Sequence, residues 1–326
     1  MRCKCLHINF WGGRMSLLHS FKRFLTNGVM ALVATAILCS IAVAQTFSFA
    51  PINDPAGFNT EARGINASGE IAGFYQTDTS CTETVLDIRY IPNCKKHGFT
   101  YINGTYRTVD VPGAISTVVY GLNDYGDLVG IYTNGDNSMH GFLWLHSGTI
   151  RSIDAPPGYL AVATGVNKWL TVVGAWGGGS FRWSNGKFTA IHVNSGPGCG
   201  NCNGFTGIAN NGLTVGYTFL HDFWDGFLKR GSDFDVFPRI NGTDSFTTSV
   251  NDKGDIVGYG GGGTIGYFAA NVEQNEGTSD TEKTPKYIYL NFQSTNVTPF
   301  GINDHRSIVG AYQDSQGIHG FLAVYQ

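Results

Sequence analysis

The sequence predicts an all-β protein, a six-bladed β-propeller with four strands per blade and an N-terminal strand closing the last blade. Three observations carry this reading. One decapeptide pattern recurs six times, a second strand–turn–strand pattern follows each copy, and the two ends of the repeat region complement each other. Self-similarity at a fixed period of about 40 residues is the mark of a blade repeat.

The six copies read GINASGEIAGFY (64–75), GLNDYGDLVGIY (121–132), GVNKWLTVVGAW (165–176), GIANNGLTVGYT (207–218), SVNDKGDIVGYG (249–260) and GINDHRSIVGAY (301–312). They start 57, 44, 42, 42 and 52 residues apart, so the base period is near 42 and the first and fifth repeats carry insertions. In the general pattern a strand a ends at Gly-Ile-Asn, and a strand b is the Ile-Val-Gly-x-Tyr segment. A second pair follows. HGFTYI (97–102) and TYRTVDVP (105–112) flank Asn103-Gly104, and FRW (181–183) and KFTAIHV (187–193) flank Asn185-Gly186. Asn-Gly between two apolar runs is a strong hairpin signal. HGFLWL (140–145) and TIRSIDAP (149–156) repeat the pattern around a Ser-Gly turn. These are strands c and d. No helical periodicity appears after the leader, and 45 glycines suit tight turns and close backbone approaches.

The start, TFSFAPIND (46–54), resembles a strand d, and the end, HGFLAVYQ (319–326), stops at a strand c. One strand d, five full repeats and a final abc make 24 strands. They fill six blades if the N-terminal strand joins the last one, which removes an open sheet edge.

GLNDYGDLVG (121–130) could be a calcium loop or a turn. A calcium loop needs several oxygen ligands at fixed positions. Only this copy and 249–258 keep both Asp residues, whereas Asn and Gly suit turn geometry without an ion. The turn reading is preferred.

Residues 29–44, VMALVATAILCSIAVA, form an apolar run after Lys22 and Arg23 that closes on Ala42-Val43-Ala44. A basic region, a short apolar core and an A-x-A site make a secretory signal. The expected division is a signal peptide at 1–44, with Met15 as a possible true start, and a propeller domain at 45–326. The leader carries five Lys/Arg and no acid, which leaves 16 basic against 24 acidic residues, a net of −8. That argues against nucleic acid or an anionic membrane surface as partner. No membrane insertion is expected after signal cleavage, and the location expected is extracellular or periplasmic. Four cysteines follow the leader: Cys81, Cys94, Cys199 and Cys202. An even count in an exported chain points to two disulfides, most simply 81–94 and 199–202.

The decapeptide followed by a His-x-Phe strand resembles the "HAF" repeat of exported bacterial proteins, named for His-Ala-Phe. Here the triplet is His-Gly-Phe at 97–99, 140–142 and 319–321. The other repeats depart from it, with Gly179-Ser180-Phe181, Asp225-Gly226-Phe227 and Ile265-Gly266-Tyr267. The resemblance spans 46–326 and implies an extracellular or envelope repeat protein. It implies no catalytic residues.

In a propeller the b–c and d–a connections share one face, and the a–b and c–d connections share the other. The long b–c loop at 76–96, the d–a loop at 194–204 and the b–c loop TFLHDFWD (218–225) then fall together. The polar segment NVEQNEGTSDTEKTPK (271–286) falls on the opposite face and reads as a mobile loop. Binding residues concentrate on loops held by a rigid scaffold. The ligand-binding candidates are therefore His221, Asp222, Trp224 and Asp225, an aromatic beside carboxylates and an imidazole. The bland reading packs Phe223 and Trp224 under the loop.

His97, His140 and His319 occupy equivalent positions, and a strand-to-turn hydrogen bond explains them better than a metal does. Cys199-x-x-Cys202 lies in a Gly-rich loop and reads as a staple rather than a redox pair. The runs Gly177–Gly179 and Gly260–Gly263 read as turns, because no Lys-Ser/Thr and no helix follows. No G-x-S-x-G or H-E-x-x-H occurs. No cofactor, metal or catalytic residue is assigned, and a monomer is expected. The function expected is a secreted, non-catalytic binding or scaffold module for an extracellular or envelope glycan or protein. The alternative is a carbohydrate-active enzyme, a glycosidase or lyase, with its site in the funnel. A ring of inward acids with His or Tyr would favour the enzyme, and a funnel of Ser, Thr and Gly the binder.

Overall fold

Short apolar alternations separated by Gly-rich turns pair every strand but the first with a chain neighbour, and 24 antiparallel strands result among the described residues. The computed structural model describes residues 47–79, 94–193, 196, 201–263, 265–272, 285–292 and 295–326. Strand β1 (Phe47–Ile52) comes first. The first sheet then runs β2 (Phe58–Ile65), β3 (Ile71–Gln76), β4 (Lys96–Ile102) and β5 (Thr105–Val109). The second is β6 (Ser116–Leu122), β7 (Leu128–Thr133), β8 (Met139–Trp144) and β9 (Ile150–Ile153). The third is β10 (Ala161–Val166), β11 (Val172–Trp176), β12 (Gly179–Ser184) and β13 (Lys187–Ile191). The fourth is β14 (Asn203–Ile208), β15 (Thr214–Leu220), β16 (Phe223–Arg230) and β17 (Asp233–Val236). Each of these four-stranded sheets fits a propeller blade.

The remaining strands are β18 (Ser245–Val250), β19 (Ile256–Gly260), β20 (Ile265–Ala269), β21 (Tyr287–Phe292), β22 (Thr295–Ile302), β23 (Ser307–Asp314) and β24 (Gly317–Tyr325). With β1 they make one eight-stranded sheet, β18 to β24 with β1 beyond β24. Among the described residues its two halves are paired through Asn291↔Asn296 and Phe292↔Thr295, between β21 and β22. Strand β1 pairs antiparallel with β24 from Phe47↔Tyr325 to Ile52↔Gly320. The N-terminal strand therefore completes the C-terminal sheet, as the ends of the sequence predict.

The strands β2, β6, β10, β14, β18 and β22 touch one another in a closed cycle. Apolar clusters fill the gaps between successive sheets. Val119, Phe142 and Ala72 pack between the first and second, and Leu143, Ala163 and Phe181 between the second and third. Val173, Phe205 and Phe227 follow, then Leu228, Ile240 and Tyr267. The Phe268, Ile308 and Phe321 cluster and the Ile52, Ile71 and Val309 cluster close the series.

The repeated Asn of the decapeptide explains the turns. Asn123 Oδ1 accepts Tyr125 N and Asp127 N, each at 3.0 Å, which satisfies two donors of its own turn, the second of them buried. Its Nδ2 donates to Asn167 O of the next repeat at 3.2 Å. Asn66, Asn251 and Asn303 do the same at 3.2, 3.0 and 2.9 Å, and Asn303 reaches Asn66 O across the junction of the last and first repeats. The stretch that resembled a calcium loop is thus a turn and a link between sheets. Among the described residues no group of three or more His, Cys, Asp or Glu side chains is placed to hold a metal ion.

The equivalent histidines tie strand to turn. His97 Nδ1 lies 2.8 Å from Asp110 Oδ2, and the ring stacks on Tyr75 at 5.4 Å. His140 repeats this with Asp154 and Tyr132, at 2.8 and 5.3 Å. His319 stacks on Tyr312 at 5.2 Å and sits 3.3 Å from Asn53 Oδ1. The pairing explains why His-Gly-Phe and Asp-x-Pro occur together in the first two repeats.

Arg306 holds a buried carboxylate. Asp255 has no exposed surface and accepts Arg306 Nε at 2.9 Å, Arg306 Nη2 at 3.2 Å, Asn251 Nδ2 at 3.0 Å and Asn271 N at 2.9 Å. Burial pushes its carboxyl up, but Arg306, Asn251 and Asn271 together outweigh that and hold it below its usual value. A depressed carboxyl stabilises the fold above its unfolded value, near pH 4, and loses that contribution as pH falls through the folded value. The double variant Asp255→Asn, Arg306→Met is therefore expected to lose less stability than the parent between pH 5 and pH 2. Urea melts across that range measure it, and equal losses would remove this pair from the acid response.

The predicted signal peptide at 1–44, Cys81 and Cys199 lie outside the described residues, as does most of 271–286. Cys94 is buried just before β4, and Cys202 is half-buried just before β14. No helix among the described residues is long and apolar enough to cross a membrane.

Candidate functional site

Each inner strand carries a residue just before the decapeptide that interrupts its pairing register, and β2 has a second shift between Phe58 and Glu61. The register with the second strand shifts between Ala62 and Gly64, Val119 and Gly121, Ala163 and Gly165, Phe205 and Gly207, Thr247 and Ser249, and Pro299 and Gly301. The skipped residues are Arg63, Tyr120, Thr164, Thr206, Thr248 and Phe300. A bulge re-aims a side chain, and these six line two cavities in common. They form a ring where the inner strands meet.

The ring is lopsided. Thr164, Thr206 and Thr248 are small and turn their hydroxyls back to the next repeat, donating to Phe205 O, Thr247 O and Pro299 O at 2.9, 2.6 and 2.9 Å. Phe300, Arg63 and Tyr120 fill the other half. The Arg63 guanidinium lies 3.8 Å from the Phe300 ring centre, 5.3 Å from Phe74 and 5.6 Å from Tyr120. Such cation–π contacts strengthen when water is excluded. Arg63 also pairs with Glu61, and both side chains are at least nine-tenths buried. Its Nε has no hydrogen-bond partner. An unmatched buried donor is costly, so this atom calls for an acceptor.

On the side where strand a begins and strand b ends lies a cavity of about 170 Å³. Its walls are the ring together with Val162, Ala175, Phe205, Tyr217, Phe246 and Tyr259. Gly204 faces Tyr217 across the β14–β15 pair, and a Cβ there would lie 2.6 Å from the Tyr217 hydroxyl. The glycine makes room for the ring. Burial pushes the Tyr217 hydroxyl above its ordinary pKa. Burial also pushes Tyr259 up to about 12, with Arg63 drawing it back and Tyr217 adding to the rise. The two phenols and the guanidinium therefore share one low-dielectric space. They can donate hydrogen bonds near neutral pH, but the phenols are poor bases. On the opposite side a smaller cavity of about 100 Å³ is lined by the Asn and Asp side chains of the a–b turns.

The four residues singled out in the sequence do not act as one group. His221 and Asp222 are an exposed two-residue turn between β15 and β16, with φ of 49° and 67°. Asp225 is buried and bound by Arg239, with Nε at 2.7 Å and Nη2 at 3.0 Å. It stands where other repeats have the histidine of His-Gly-Phe, and it serves the same tying role. Trp224 packs against Tyr217, Phe219 and Phe246 at 5.4, 5.2 and 6.1 Å, so it backs two walls of the axial cavity. Sequence reasoning missed Arg63, Tyr217, Phe246 and Tyr259. No single residue type marks the ring in the sequence: the position before the decapeptide holds Arg63, Tyr120, Thr164, Thr206, Thr248 and Phe300.

Ser138, His140 and Asp154 have the order of a catalytic triad, with His140 Nε2 3.2 Å from Ser138 Oγ. Thr77 stands beside His97 and Asp314 beside His319. Ser138 reaches its imidazole from just before strand c, and Thr77 and Asp314 theirs from the end of strand b, so Ser, Thr and Asp all serve these histidines as hydrogen-bond partners.

Fold and site define an all-β repeat protein whose four-stranded sheets surround an axial, aromatic-walled cavity. No family model matches the chain and no curated protein matches it. Among solved structures it is similar to virginiamycin B lyase from Staphylococcus aureus, at 10% identity over 85% of this chain and 99% of that one, TM-score 0.46. It is also similar to AofleA from Arthrobotrys oligospora, at 11% identity over 86% and 88% of the two chains, TM-score 0.47. A third is the β-propeller domain of the trilobed protease from Pyrococcus furiosus, at 9% identity over 82% and 79%, TM-score 0.45.

Proposed function

We propose that this chain is an exported, six-bladed β-propeller of the HAF-repeat type that acts as a non-catalytic binding module. Its ligand is an extracellular or envelope glycan, one sugar of which enters the axial cavity. The observation that carries this is the wall of that cavity: Tyr217, Phe246, Tyr259 and Phe300 with the one guanidinium of Arg63. Aromatic faces cover the apolar face of a sugar, while phenol and guanidinium donors meet its oxygens. The cavity is smaller than the roughly 300–1,000 Å³ of a drug-sized site, which favours a single ring over a long segment.

The enzyme reading fares worse on chemistry. Glycoside hydrolysis needs two carboxyl groups flanking the bond. Glu61 is the carboxylate beside Arg63, and it is paired with it. Elimination needs a base, and burial raises both Tyr217 and Tyr259. Export with cleavage before Gln45 and disulfides 81–94 and 199–202 belong to the same proposal. Intact-mass analysis of the exported product would show that start with four blocked thiols, and free thiols would end the disulfide part.

The test is a glycan array probed with residues 45–326, followed by mass spectrometry of the eluted sugars. Retention of an intact glycan is expected, with the double variant Tyr217→Phe, Tyr259→Phe binding about tenfold or more weakly through lost hydrogen bonds. Unchanged affinity in that variant would remove the axial cavity from the account. Shortened or unsaturated sugars would make the chain an enzyme.

A further inference from the structure

The a–b turns form the face opposite the axial cavity, and two of them depart from the others. Four place a glycine with positive φ at the fourth position: Gly69, Gly126, Gly212 and Gly254, with φ of 83°, 77°, 91° and 74°. The third turn, Asn167-Lys168-Trp169-Leu170, holds Leu170 there at φ 57°, and the sixth holds Arg306 at φ 60°. A side chain in this left-handed region is strained. Arg306 is matched by its ion pair with Asp255. Leu170 has no polar group to be matched in that way. Beside it stands Trp169, 68% exposed, the most exposed of the large apolar side chains described.

Trp169 is exposed yet held. Its indole Nε1 donates to Asn210 O at 3.1 Å, and Lys168 Nζ lies 5.0 Å from its ring centre. The Asn210 side chain fixes the surroundings. Its Oδ1 accepts Lys168 N at 2.8 Å, and its Nδ2 donates to Asp124 Oδ2 at 2.9 Å and Asp252 Oδ2 at 3.1 Å. One residue thus joins the indole to the polar cavity of about 100 Å³, which Asp124, Asp252 and Asp304 line. Tyr125, the counterpart of Trp169 in the preceding repeat, is 64% exposed on the same face.

We infer that this face is a second carbohydrate-binding surface, specific for a neutral glycan, with a pyranose ring stacked on Trp169. It does not rest on the axial cavity. A hydrogen-bonded, exposed indole is a preorganised platform, because its orientation is set before a ligand arrives. The carboxylates of Asp124 and Asp252 are acceptors for sugar hydroxyls at its edge. Three carboxylates around the mouth repel uronates and sulfated sugars, and the net charge of −8 over 45–326 acts in the same direction. Tyr125 offers a second stacking face for a neighbouring ring of the same glycan.

Residues 45–326 would be titrated with cellohexaose, maltohexaose, a hexamer of β-1,4-linked N-acetylglucosamine and hexagalacturonate, by calorimetry and tryptophan fluorescence. At least one neutral hexamer is expected to bind, and hexagalacturonate is not expected to bind at Trp169. Trp169→Ala should weaken neutral binding tenfold or more, and Trp169→Phe less, with the melting temperature of both near that of the parent. Loss of neutral binding in Trp169→Ala together with its retention in the double variant Tyr217→Phe, Tyr259→Phe would assign the glycan to this face and not to the axial cavity. Three results would overturn the inference: no neutral hexamer binds the parent, Trp169→Ala binds as the parent does, or the tyrosine pair and not Trp169 abolishes binding. The last would assign that glycan to the axial cavity.

Discussion

Gly130→Ala is expected to abolish the native fold or to cost more than about 4 kcal/mol, a range seen only where backbone or core cannot adjust. A Cβ at Gly130 would sit 1.9 Å from Val118 O and 2.9 Å from the Phe142 ring. The first neighbour is backbone in an inner strand, and the second is fully buried, so neither can yield. The same conflict recurs at Gly73, Gly174, Gly216, Gly258 and Gly310, where the nearest carbonyl would be 1.9 to 2.2 Å away. This is why every decapeptide ends in Gly. Gly104→Ala is the control. Gly104 has φ 84° and open space around it, so its substitution should cost only about 1–2 kcal/mol of backbone strain. Soluble yield and urea midpoints measure both, and a Gly130→Ala protein as stable as Gly104→Ala would refute the packing argument.

Deleting residues 47–52 is expected to be nearly as severe. It removes β1 and the whole register from Phe47↔Tyr325 to Ile52↔Gly320. Phe47 leaves Phe268 and Tyr325, at 5.6 and 5.3 Å, and Phe49 leaves Phe292 and Phe321, at 5.2 and 5.6 Å. Both rings are half-buried, so their burial is worth at most roughly 3–6 kcal/mol before the ladder hydrogen bonds are considered. The bare edge of β24 then invites pairing with another chain. Size-exclusion chromatography should show higher oligomers or aggregate. A monodisperse deletion variant melting with the parent would mean that β1 does not close the sheet in solution.

Much of the architecture is legible because it is written locally and six times over. The strand pairs, the Asn turns and the 24-strand arithmetic follow from periodicities of a few residues and from turn chemistry that acts within four or five positions. The candidate site was harder to read. Trp224 is legible as an aromatic of consequence, but its packing behind Tyr217 and Phe246 depends on two repeats meeting. Asp225 looks like a free acid beside a histidine until Arg239, fourteen residues away, is brought onto it. Arg63, Tyr217 and Tyr259 belong to three repeats, and nothing local marks them as neighbours.

By itself the sequence determined the all-β class, the repeat, the turn in place of a calcium loop and the pairing of the first strand with the last. These rest on hydrogen bonds and alternation along the chain, whose range is short. Only the tertiary structure decided which residues face the axis, that Arg63 is caged beside Glu61 with a buried unmatched Nε, and that Asn210 holds Trp169 to the opposite mouth. The reason is physical. A bulge of one residue reverses which side chain points inward, and closure of the cycle brings together residues far apart in the chain, two effects that no local pattern encodes.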